Sequence, residues 1–270
     1  MTVHDDLRQI GQQKDGDINL ATAALLLAKF KDLSLDIGPY QRHIDTLVED
    51  CLNYIGDDFN DNTTASETVC QIIAKRYGYT AQIEDDQDAQ QHNFAQMIDH
   101  RRGSALNLCL LYAHVLEHIG QPIEIIDLED HPVVRLLGQR EHILVDPLQG
   151  VKPIGAAQMR SLFKESSPFA LKVLDKRSAL LNGQDLTKLY LLRNNAPEAA
   201  ISVLESCLLI APDEPRLWRE LGVLEARLDH IDDSISALKR YLEISESSTY
   251  RYSASQLLQE LQTRKDNKPS

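Results

Sequence analysis

One stretch constrains this chain more than any other. From Ser104 to Gly120 the sequence SALNLCLLYAHVLEHIG is apolar almost all the way round a helix. A helix without a broad polar face must be covered on every side, so other elements have to be arranged around it. The chain can supply them. Its 270 residues are 43% hydrophobic and 26% charged, which fits about two globular domains and neither low complexity nor disorder.

On the N-terminal side the periodicity is helical. The first fifteen residues are polar and predict a loose segment. An apolar run from Asp17 to Phe30 reads as a helix entering the core. Tyr40, Ile44, Leu47, Val48, Cys51, Leu52 and Ile55 keep helical spacing up to Gly56, a residue suited to ending a helix. Thr64 with Glu67 forms a capping-box pattern opening a further helix that stops near Gly78. The polar run from Tyr79 to His92 reads as a surface loop, and Phe94 with Met97 marks a short helix. Beyond Gly120 the period changes to that of strands: IEIIDL, VVRLLG and EHILVD are short, branched and separated by turn signals. Gly138-Gln139 suits a two-residue hairpin turn. After Pro153 the pattern reads as helical throughout.

The C-terminal third repeats itself. AAISVLESCLLIAP (199–212) lies over DSISALKRYLEISE (233–246) at an offset of 34 residues, placing Ile201 on Ile235, Ser202 on Ser236 and Leu204 on Leu238. That period belongs to tetratricopeptide helix pairs. Trp218, Leu221 and Gly222 give the W-x2-L-G arrangement; Ala200 and Pro212 fill the small and closing positions of the first unit, and Ser234 and Glu246 depart from them in the second. A helix over Tyr250–Leu261 would cap the array, with a frayed KDNKPS end.

The net charge of −13 argues against nucleic-acid and anionic-membrane partners, because an acidic surface repels phosphates. The start of the chain lacks the cationic and apolar parts of a signal peptide. Together with scattered cysteines and no CxxC pair, this predicts a cytoplasmic protein whose cysteines are buried small hydrophobes.

Several residues could carry chemistry. With the hairpin turn at Gly138-Gln139, Leu137 pairs with Arg140 and the register brings His131 opposite Asp146. Facing residues on paired strands lie roughly 5 Å apart. A carboxylate beside an imidazole is either the base-and-orienter half of a catalytic triad or a structural hydrogen bond at a strand end. His114 and His118 have metal-compatible spacing, but with Glu117 they are also the polar strip of an apolar helix. Arg101-Arg102 could bind an anion at a helix start or form a loop salt bridge. Glu84-Asp85-Asp86 lacks the glycine and spacing of a calcium loop. No cofactor or metal site is expected.

The order RRGSALNLCLLYAHVLEHIGQP…DHPVVRL…ILVDPLQG, followed by the helical repeats, resembles the bacterial Sir B-type proteins, in which a transglutaminase-like core precedes tetratricopeptide repeats. The resemblance covers roughly residues 17–262. It implies an α+β fold: a helix-rich, papain-like N-terminal domain with a small antiparallel sheet over 17–180, and an all-α tail over 183–262. A flexible N-terminus (1–16) and a disordered end (263–270) flank them. In that family the nucleophilic cysteine starts the buried helix, about fifteen residues before the glycine of Gly-x-Pro (Gly120, Pro122 here). That position is Ala105, which has no nucleophile, while His131 and Asp146 carry over. The expectation is a non-catalytic interaction or regulatory scaffold that binds a protein or peptide through its repeats. The alternative is a hydrolase or acyl transferase of altered chemistry using Ser104 or Cys109 with His131 and Asp146. Ser104 would be turned about 100° from its neighbour on a helix, and Cys109 lies one turn deeper in an apolar stretch, where a thiol stays protonated.

Overall fold

The computed structural model describes residues 2–56, 62–82, 93–128, 131–138, 143–149, 153–154, 172–246 and 249–267. They form two compact units, one of residues 13–186 and one of residues 2–12 with 187–270. Residues 57–61, the Glu84-Asp85-Asp86 run and the Gln139 and Arg140 positions of the hairpin lie outside the described residues.

In the first unit, helices α2 (Leu20–Lys31), α3 (Gly38–Ile55), α4 (Asn62–Val69), α5 (Phe94–His100) and α6 (Ala105–His118) follow the predicted order. Every residue of α6 from Ala105 to Leu116 is buried. The helix packs against α2, α3, α4 and both sheets, as a helix apolar all round requires. α4 has already begun at Asn62, so Thr64 lies inside the helix and not at its cap. From Cys70 to Arg76 the helix widens to π geometry.

The main sheet has the order β6-β5-β4-β3-β7, antiparallel throughout: β3 (Ile123–Asp127), β4 (Pro132–Leu136), β5 (Ile143–Val145), β6 (Pro153–Ile154) and β7 (Lys172–Leu174). The last two correct the expectation that the chain is helical after Pro153; strands of two and three residues are too short to show a period. A second, parallel pair joins β1 (Thr80–Gln82) to β2 (Arg102–Ser104), so the polar run after Tyr79 opens with a strand where a loop was expected.

The second unit contains α8 (Pro197–Ile210), α9 (Pro215–Arg227), α10 (Ile231–Ile244) and α11 (Arg251–Asp266), with the C-terminal part of α7 (Lys176–Arg193). Ile201, Leu204, Ile235 and Leu238 are all buried, as the 34-residue offset requires. Gly222 lets α9 approach α10: a Cβ there would sit 2.7 Å from Leu238 Cγ. Ser234, at the small-residue position, donates its buried hydroxyl to the Gly222 carbonyl at 2.6 Å, so a serine fits where alanine is usual. Trp218 Nε1 donates to the Pro212 carbonyl at 2.7 Å. α11 covers α10 through Ala254 and Leu261 and runs to Asp266, beyond the expected disorder boundary at 263.

The segment expected to be flexible is also ordered. Val3–Gln12 form α1 in this second unit, burying Val3, Leu7 and Ile10. α1 packs on α8, and Gly11 lies directly against the Leu209 carbonyl.

Two stability outcomes follow from this packing. Gly222→Ala should cost about 1–3 kcal/mol, because the added methyl overpacks the Leu238 contact. Leu7→Ala should cost about 2–5 kcal/mol in the repeat unit. Trp218 is the only tryptophan, so urea unfolding followed by its fluorescence reads both. A Trp218 transition unmoved by Leu7→Ala would mean that α1 does not stabilise the repeats.

Candidate functional site

Three elements meet around the start of α6. β2 ends at Ser104, which serves as the N-cap of α6: its Oγ accepts the Asn107 N–H at 3.2 Å. Capping satisfies one of the orphan amides of the first turn and commits this buried hydroxyl to the backbone. Ala105 is the first helical residue and is buried, presenting only a methyl group. Cys109, one turn further and on the same face, donates its Sγ–H to the Pro132 carbonyl at 3.1 Å. This face of α6 is therefore turned towards the start of β4, next to His131. Burial pushes the Cys109 thiol well above its ordinary range, and the Asp146 carboxylate adds to the effect. Such a thiol stays protonated.

His131 and Asp146 meet, though not by the expected register. Leu136 pairs with Ile143, Arg135 with Leu144 and Val134 with Val145, two residues away from the pairing of Leu137 with Arg140. Residues 139–142, which connect the two strands, lie outside the described residues. A slip of two preserves the face on which each side chain lies, where a slip of one would reverse it. His131 becomes a diagonal instead of a direct neighbour of Asp146, still within reach, and its Nε2 lies 3.0 Å from Asp146 Oδ1. The Asp146 side chain is 2% exposed and that of His131 19%. Burial alone would raise the Asp146 carboxyl. The hydrogen bond and charge of His131, with the backbone N–H groups of Leu148 (2.8 Å) and Gln149, outweigh it and hold the pKa below the ordinary value. The backbone donors were not foreseeable from side-chain types.

The other candidates separate. His118 is exposed and its Nδ1 donates to the His114 carbonyl at 2.7 Å; Glu117 pairs with Lys176 at 2.9 Å. His114 is buried, which corrects the expected polar strip, and burial lowers its pKa to about 3, so the ring is neutral. Among the described residues no three His, Cys, Asp or Glu side chains stand close enough to hold a metal ion. Arg101 is held by a tyrosine and a histidine. Its guanidinium donates to the Tyr79 hydroxyl and, at 2.5 Å, to His43 Nε2, and it stacks 4.8 Å from the Tyr79 ring centre.

The buried helix, His131 and Asp146 all lie within one matched stretch of the chain. The family model described as the transglutaminase-like superfamily matches residues 39–181, more than half of the chain. The chain belongs to that superfamily. A tetratricopeptide-repeat model matches residues 186–259. Two curated proteins named UPF0162 protein are similar: that of Xylella fastidiosa strain Temecula1 / ATCC 700964 is 22% identical over 249 residues, and that of strain 9a5c 23%, each match covering 87% of this chain and 86% of the relative. Among solved structures, menin matches 99% of this chain and 78% of its own at 13% identity, with a TM-score of 0.43. No described helix is long and apolar enough to cross a membrane.

Within the transglutaminase-like domain, the depressed Asp146 carboxyl contributes stability above its unfolded pKa of about 3.9. That stability is lost as the pH falls through the lower folded value. His131→Ala removes the partner that offsets burial, so the Asp146 pKa should rise and the protein should lose stability at neutral pH. Carboxyl-carbon NMR titration and urea unfolding read the two effects. A titration unmoved by the substitution would mean that the backbone amides alone keep Asp146 ionised.

Proposed function

We propose that this is a Sir B-type protein whose transglutaminase-like domain has lost acyl-transfer chemistry, and that it works as an interaction or regulatory scaffold through its helical repeats. The observation that carries this reading is Ala105 at the first position of α6, where the family places its nucleophile. Without a thiolate no thioester forms, whatever the state of the His131–Asp146 pair. The neighbouring groups support the same conclusion. The Ser104 hydroxyl caps the helix, and the Cys109 thiol is fully buried and bonded to a carbonyl. The ion pair then acts as a fastening between two strands. Tetratricopeptide repeats generally bind protein segments along their helices, which makes a protein or peptide the expected ligand.

The test is reactivity at the head of α6. Native protein should resist iodoacetamide and fluorophosphonate labelling, whereas Ala105→Cys should gain thiol labelling that His131→Ala suppresses. Labelling of Ser104 or Cys109 in the native fold, abolished by His131→Ala, would overturn the proposal and establish altered hydrolase or transferase chemistry.

A further inference from the structure

The two helix pairs of the repeat unit differ at one position. Gly222 packs its backbone against Leu238; 34 residues earlier the matching residues are Lys188 and Leu204. A lysine at the glycine position cannot reproduce that backbone contact. Lys188 and Leu204 instead both line a groove of about 490 Å³ formed by α7, α8, α9 and α11. Leu189, Leu192, Val223, Leu224 and Leu257 make the groove strongly apolar, and Leu189 is 46% exposed.

The charges on its lip are of one effective sign. Glu220 is engaged by Lys188 and, at 3.3 Å, by Arg216. Arg219 is fixed 3.9 Å above the Tyr250 ring, and Arg227 is exposed at the end of α9. Three cations against one carboxylate line the groove of a chain whose net charge is −13. The protein's general field repels an acidic partner while this lip attracts one, which directs such a partner to the groove.

We propose that the groove takes an acidic amphipathic helix of a partner protein, its apolar stripe against the leucines and its carboxylates on Arg219 and Arg227. The proposal rests on the scaffold reading and names the chemistry of its partner. The two arginines are eight residues apart on α9, about 12 Å along its axis, or roughly two helical turns. An extended peptide crosses that span in about four residues, with too few inward side chains to cover the apolar floor. A helix presents several there, at i, i+3, i+4 and i+7.

The test uses the full chain and a labelled synthetic helix with leucines on one face and two glutamates two turns apart. A copy carrying lysines in place of the glutamates is the control. Polarisation titration should show saturable binding of the glutamate peptide and at least about tenfold weaker binding of the lysine peptide. Arg227→Glu, an exposed change whose folding Trp218 fluorescence verifies, should weaken the first and strengthen the second. Added salt should weaken the glutamate complex. Equal binding of both peptides, no binding of the glutamate peptide at ~1 mM, or indifference to Arg227→Glu would each overturn the proposal. Labelling at the head of α6 tests the scaffold reading independently, so the two can fail separately.

Discussion

The first unit depends on covering α6. A helix buried from Ala105 to Leu116 cannot be satisfied by a single layer, and the elements around it are those that remove its surface from water. At roughly 25 cal/mol per Å² of apolar area, this burial is a favourable term for the unit. It also fixes the site. Ser104 and Ala105 occupy the only end of α6 preceded by a strand, and Cys109 points one turn inward to the carbonyl of Pro132. The residues around the head of α6 are therefore held by packing as well as by polar contacts.

The polar contacts follow from the same burial. Asp146 is nearly inaccessible, and an isolated carboxylate there would be driven towards its neutral form. It stays ionised because an imidazole and two backbone amides converge on it. A charged group in this position is tolerated only with its partners, which gives His131 a structural role.

Much of this was legible in the sequence because burial imposes a period. α2, α3, α6 and the strands β3 to β5 announce themselves through apolar spacing, and the repeats through their offset. What escaped was set by geometry without a local signature. The strand register depends on which residues turn the chain, and a turn at Gly138-Gln139 gives a pairing displaced by two from the observed one. The face shared by His131 and Asp146 was still foreseen, because an even displacement leaves it unchanged. β1 and β2 are three-residue strands in a polar context. Val3, Leu7 and Ile10 do keep helical spacing, but so few apolar residues gain weight only when their distant partner is known.

That partner sets the order of events during synthesis. Gly11 rests on Leu209, so α1 must wait for a surface that emerges nearly two hundred residues later. At roughly 5–20 residues per second, this is a delay of about ten to forty seconds. Until then the apolar side of α1 is open to other contacts, chaperones included. The repeat unit is consequently assembled from both ends of the described chain, and its completion reports that everything between them has been made.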